Sequence, residues 1–188
     1  GDDTFPGAVS PKSACTLAAV YACRVAISET LAMCPIGVFE NEAPGKVREA
    51  KDHPLYKILH DEPNAYTDSF AWTDAQIRNL IDFGNCLALK QWPRPNKNSV
   101  DNDIPTGLDI IYPEGSSVKK VDGRLKYTFF DNGRQETRDQ AEIFHISINS
   151  PDGIWGKSPF SIVGESFGLG IAQQRHAMKL FRDGAFFR

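Results

Sequence analysis

Arg175, Lys179 and Arg182 recur at steps of four and three near the end of the sequence, which puts three cations on one strip of a helix. Such a strip can contact a polyanion or a neighbouring subunit, and it also complements the dipole of its own helix. The same strip begins with Gly164, Gly168 and Ala172, a bare ridge of small residues where another helix could approach closely. Gly164, Gly168 and Gly170 do not form a dinucleotide-binding loop, because they lie inside a helical segment and follow no strand. Other reactive groupings are sparse. Phosphate loops and HExxH pairs are missing from the sequence. His53, His60, His145 and His176 are scattered, and His145, on an apolar strand, reads as a satisfied core or edge histidine. Asp101 and Asp103 come nearest to a metal-binding pair but have no third partner. Cys15, Cys23, Cys34 and Cys86 form no CxxC and no Cys/His grouping, so they read as buried, reduced thiols and not as a zinc site. No catalytic residue, metal ligand or cofactor is assigned.

The elements that must position the basic strip follow from composition and periodicity. The 188 residues carry 21 basic and 24 acidic side chains, net −3, so any contact with nucleic acid has to be local and loose. With 41% hydrophobic and 24% charged residues the composition is that of a globular chain of one medium domain or two very small ones. No apolar run approaches the roughly eighteen residues of a membrane span, and Gly1-Asp2-Asp3-Thr4 lacks the pattern of a secretory signal.

Ser10-Pro11 opens a helix whose stripe of Leu17, Val20, Tyr21, Arg24, Ile27, Ser28, Leu31 and Cys34 runs to the stop at Pro35. Arg24 lies within that stripe and is expected to pack its stem while its head finds a carboxylate, a contact to a neighbouring subunit being the alternative. A strand at 36–40, a polar turn at 41–51 and a short amphipathic helix from His53 to Leu59 come next. Thr67-Asp68-Ser69 caps a helix from about Phe70 to Phe83, with Gly84 as its left-handed stop. Leu17, Val20, Ile27 and Leu31 are expected to share a core with Leu55, Leu59 and Ile77. Asn85–Trp92 reads as a strand, 93–106 as a surface loop, and 108–148 as one small antiparallel sheet turned by Asp122-Gly123 and Asn132-Gly133. Ser158-Pro159 starts a long helix reaching Arg182, with Val163, Phe167, Gly170, Ile171, Gln174, Met178 and Phe181 as its apolar stripe. Helices, a segregated and mainly antiparallel sheet and a long C-terminal helix make an α+β chain.

Several motifs, in order, resemble one family. Ala19–Ser28 with Cys34-Pro35-Ile36 is similar to the first helix of tailed-phage portal proteins of the HK97 type. His53-Pro54-Leu55-Tyr56 with Glu62-Pro63-Asn64 resembles that family's HPLYxLL…xPN stretch, and Phe83-Gly84-Asn85-Cys86-Leu87-Ala88 its GNAY segment. Glu142–Ile146 resembles its IxH strand, while Gly156-Lys157-Ser158-Pro159-Phe160 and Phe181-Arg182-Asp183-Gly184-Ala185 resemble the GxSP and FxNGA ends of its long helix. Cys86, Leu87 and Asp183 depart from the pattern without touching any chemical function.

The resemblance implies a wing-like region over 1–157 and a stem-like helix over 158–188, with the clip, second stem helix, tunnel loop and crown outside this stretch. It implies a non-enzymatic subunit of a ring of about twelve copies at a capsid vertex. Double-stranded DNA would pass through that ring, with terminase, capsid and head–tail connector proteins as partners and no membrane. The location implied is the virion, and the host bacterial cytoplasm during assembly. Arg175, Lys179 and Arg182 become candidates for the DNA channel or for subunit contacts, with Gly164, Gly168 and Ala172 as the packing ridge. The alternatives are a metal-dependent nuclease, using carboxylates such as Asp101 and Asp103, and a monomeric adaptor domain.

Overall fold

Asp68 accepts a hydrogen bond from the Ala71 amide at 2.7 Å and so starts α4 (Ser69–Phe83), which Gly84 ends at φ +75°. These are the boundaries expected from the sequence, and α4 is the helix around which the rest is arranged. A computed structural model describes residues 9–93 and 104–182. Asp101, Asp103 and the Asp183-Gly184-Ala185 motif lie outside the described residues.

Before α4 come α1 (Pro11–Ala14), α2 (Ala18–Ala32), the strands β1 (Phe39–Ala43) and β2 (Lys46–Glu49), and α3 (Pro54–Tyr56), which continues as a wide π turn over Lys57–Asp61. After it come β3 (Asn85–Gln91), β4 (Gly107–Ile111), β5 (Ser117–Val121), β6 (Arg124–Asp131), β7 (Arg134–Asp139) and β8 (Ile143–Ser147). Two helices close the series, α5 (Pro159–Ile162) and α6 (Gly164–Arg182).

The strands make three antiparallel sheets where the sequence suggested one over 108–148: the hairpin β1-β2, a sheet ordered β4-β3-β8, and the meander β5-β6-β7. The polar turn expected at 41–51 is in fact most of the first hairpin. The two expected hairpin turns do form, with Asp122 and Gly123 at φ +50° and +79° and Asn132 and Gly133 at +47° and +77°.

Strand β3 lies at the centre of its sheet and is covered on both faces. On one face Leu87 packs with Ile111 and Ile143 against Tyr127 and Phe129 of the meander. On the other, Ala88 packs with Leu108, Trp72 of α4 and Ile58 of the π turn. Asn85, Cys86, Leu87 and Ala88 are consequently all buried, and burial pushes the Cys86 thiol pKa up to about 11.

The contact between α2 and α4 departs most from expectation. Leu55 and Leu59 join the Ile58–Trp72 cluster, whereas Ile27 and Leu31 remain about half exposed. The shared apolar core with α2 is therefore not formed, and Leu17 goes elsewhere, to α6. What α2 turns toward α4 is Arg24, Ser28 and Ala32, and α4 answers with Asp82 and Arg78. Arg24 holds Asp82 in a two-pronged ion pair, Nε to Oδ1 at 2.7 Å and Nη2 to Oδ2 at 2.5 Å, with both side chains largely covered. This is the internal carboxylate expected for Arg24. Buried residues of α4 recur at Trp72, Gln76, Asn79 and Asp82, so its inward face is mostly polar and is held by directed bonds. Trp72 Nε1 donates to the Leu108 carbonyl and Gln76 Nε2 to the Leu87 carbonyl, both at 3.0 Å.

The expected first helix is also two pieces. Cys15 closes α1 and Leu17, in extended backbone, starts α2, with Thr16 Oγ1 donating to the Ser13 carbonyl at 2.7 Å between them. Among the four cysteines, all unbridged as expected, only Cys86 is buried. Cys23 and Cys34 are exposed because they fall on or just beyond the outward side of α2.

Removing one member of a covered ion pair leaves the other charged and unsatisfied. Arg24→Met is therefore expected to destabilise the protein by about 3 kcal/mol, a fall in Tm of roughly 6–12 °C for a chain of this size. Adding Asp82→Leu should restore much of that loss in the same thermal unfolding experiment.

Candidate functional site: a basic helix and the joint that aims it

The basic strip is carried by α6, and the direction of α6 is set by a joint between groups 71 residues apart in sequence. Asn85, 1% exposed, donates through Nδ2 to the carbonyls of Phe83 and Gly156, each at 2.9 Å. Its Oδ1 accepts from the Gly156 amide at 2.8 Å and from His145 Nε2 at 3.0 Å. Since Oδ1 is only an acceptor, Nε2 of His145 carries the proton, and Nδ1 accepts from the Tyr127 hydroxyl at 3.1 Å. Burial holds His145 below its ordinary pKa, consistent with a neutral ring in this chain of bonds. The expectation of a satisfied core or edge histidine holds.

Close backbone contact completes the joint. A Cβ at Gly156 would stand 1.9 Å from the Gly84 oxygen and 2.5 Å from the Ile148 oxygen, and one at Gly84 would stand 2.4 Å from the Lys157 oxygen. The loop before Gly156 is tied by Asp152, whose Oδ1 accepts from the amides of Ile154 and Trp155 at 2.9 and 3.0 Å and from Ser150 Oγ at 2.9 Å. Those amide bonds, with the Ser150 hydroxyl, pull the Asp152 carboxyl down to about 2. Ser158 then donates to the Asp82 carbonyl at 2.6 Å and caps α5 by accepting from the Phe160 amide at 3.2 Å. The C-terminus of α4 thus grips the start of the last helical segment.

That segment is not the one continuous helix expected from 158 to 182. It breaks at Val163, whose φ of −110° and ψ of 28° leave the helical region, so α5 and α6 meet at a bend. Phe160 packs edge-on against Phe167 with ring centroids 5.3 Å apart, and Leu17 fits against Gly170. Gly168 and Ile171 are buried, but from Ala172 to Arg182 every residue is exposed. The apolar stripe is accordingly covered at Phe167, Gly170 and Ile171, while Val163 is exposed and Met178 and Phe181 stand 63% and 86% exposed. The solvent-exposed stretch of eleven residues extends about 16 Å.

Arg175, Lys179 and Arg182 all lie on this exposed stretch. The ridge preceding them is uneven: Gly164 has open space around it, Gly168 is already covered within the chain, and Ala172 is exposed. With Glu165 in the first turn and Lys179 and Arg182 in the last, the helix also carries charges that suit its dipole. Among the described residues no group of three or more His, Cys, Asp or Glu side chains could hold a metal ion, and no helix is long and apolar enough to cross a membrane. The Asn85–His145–Gly156 joint was missed from the sequence as an interaction, although Gly84-Asn85, His145 and Gly156 each stand in a motif quoted above.

Comparison with known proteins now adds to this geometry. The family model described as phage portal protein matches residues 18–188. The portal protein of Enterobacteria phage HK97 is 26% identical over 170 residues, covering 90% of this chain and 38% of that protein. A probable portal protein of Streptomyces phage phiC31 is 26% identical over 191 residues, covering 94% of this chain and 39% of that protein. The chain thus spans about two-fifths of the length of these curated relatives. Two solved structures share the fold: a chain in the neck of an empty GTA particle computed with C6 symmetry, and one in the neck of a native GTA particle computed with C12 symmetry. The first has a TM-score of 0.71 at 21% identity, covering 86% of this chain and 42% of that one. The second has a TM-score of 0.66 at 17% identity, covering 96% and 48%.

Two measurements test the joint. Gly156→Ala puts a methyl group into the Gly84 carbonyl and should cost at least about 3 kcal/mol, read as a fall in the urea midpoint. His145 binds its proton less readily folded than unfolded, so its contribution is complete above about pH 6.5 and declines as pH falls below that value. His145→Gln should therefore lower stability at pH 7.5 and flatten the slope of unfolding free energy between pH 6.5 and 5.5.

Proposed function

The chain belongs to the phage portal protein family, and from that premise we propose that it is part of a structural, non-enzymatic subunit of the ring at a capsid vertex. The match over residues 18–188 is the observation that carries this reading. In it, residues 1–157 form a wing-like region and 158–188 a stem-like helix. About twelve copies close a ring with cyclic symmetry, through which double-stranded DNA is packaged and ejected. Terminase, capsid and head–tail connector proteins are its partners, in the host bacterial cytoplasm during assembly and in the virion afterwards. Fold likeness to chains in particle necks computed with C6 and C12 symmetry supports the ring, as a property of those particles carried over here.

Arg175, Lys179 and Arg182 face the DNA channel or the adjacent subunit in this reading, and Gly164, Gly168 and Ala172 mark where that neighbour comes near. The net charge of −3 suits a conduit. Affinity for DNA rises with every phosphate neutralised, and a tightly binding channel would stall its cargo. A few cations per subunit, repeated around a ring, centre the duplex without holding it.

Electron microscopy of the full-length protein should reveal rings with a central hole; a uniform population of monomers would overturn the reading. Replacing Arg175, Lys179 and Arg182 together by Ala removes no core packing, so Tm should move by less than about 2 °C. DNA packaged per capsid should fall. Normal packaging by intact rings would reduce the strip to the decoration of a helix end.

A further inference from the structure

Helix α2 buries a charge and leaves apolar residues in water. Its sequence holds two charged residues: Arg24 is covered in its pair with Asp82, and half-exposed Glu29 reaches Arg78 of α4 at 3.6 Å. The side away from α4 carries Cys23, Ile27, Thr30 and Leu31, all exposed, with half-buried Val20 before them and exposed Cys34 after them. A helix whose outer side faces water does the reverse, putting charge outward and apolar residues inward. From Val20 to Leu31 this uncharged stripe runs about 16 Å, and Met33, 72% exposed, extends it.

The stripe also begins near the proposed contact helix. Leu17, at the start of α2, lies against Gly170 in the covered part of α6, so the first turn of α2 stands beside the root of that helix. We propose that the Val20–Cys23–Ile27–Leu31–Cys34 stripe is buried against a second copy of this chain. The inference rests on the ring reading and deepens it by naming a subunit contact in the wing-like region. A closed ring of identical copies makes every subunit cover two of its faces with neighbours. An uncharged stripe needs no matching countercharge on the partner, and this one starts one turn from the root of the helix proposed for that contact.

The test uses the full-length protein, separated by size into rings and dissociated subunits, with iodoacetamide labelling read by mass spectrometry. Cys23 and Cys34 should react at least tenfold more slowly in rings than in subunits. Ile27→Lys and Leu31→Lys, each placing a charge in the contact, should lower the fraction of protein in rings at least tenfold while the subunit keeps its Tm. Rings in which both thiols react at the subunit rate, or rings that form normally in both variants, overturn the inference and leave the ring reading standing. Thiols already protected in the dissociated subunit overturn it too, since the rest of the full-length chain would then be the cover. If the unmodified protein forms no ring, the ring reading falls and this contact falls with it.

Discussion

One buried amide side chain fixes the geometry on which the rest depends. Asn85 spends both hydrogens and its oxygen on groups from three places in the chain: the end of α4, strand β8 through His145, and the loop that launches α5. The two bonds to Gly156 are buried and those to Phe83 and His145 partly so, and a missing hydrogen bond there costs the desolvation of the group left behind. Gly84 and Gly156 are what allow the backbones to come close enough for it.

Rigidity at this joint matters because the stretch it aims is so weakly tied down. Among the described residues α6 meets the body through Phe167, Gly168, Gly170 and Ile171 in its first turns. Those turns take their direction from Ser158 and Asn85. A helix with cations along one strip and Met178 and Phe181 exposed on another presents a surface suited to an outside contact. In the proposed ring, the neighbouring copy is the physical reason for such an arrangement.

The α2–α4 contact carries the same logic in the opposite direction. Directed ion pairs at Arg24–Asp82 and Glu29–Arg78 hold the two helices, and apolar burial supplies little of the contact. Such pairs set register and orientation more firmly than they add stability. They also leave the apolar residues of α2 available on the outside. A helix that looks badly packed in one copy is well suited to packing between copies.

Local conformation was legible in the sequence. Asp68 and Gly84 bound α4, and Asp122-Gly123 and Asn132-Gly133 turn the meander, because such signals act within a few residues of themselves. The family was legible too, since its motifs occur in order along one chain. The candidate cations could be placed on one strip because helical periodicity is a local property. Which face of α2 points inward was not legible: Ile27 and Leu31 have the right spacing for a core, and only the arrival of Asp82, 58 residues from Arg24, turns the polar face in. The division of the strands into separate sheets depended likewise on β8 pairing with β3, Asn85 opposite Ser147. The bend at Val163 and the Asn85–Gly156 joint were set by tertiary structure, because they arise where distant backbones compete for the same space and the same hydrogen bonds.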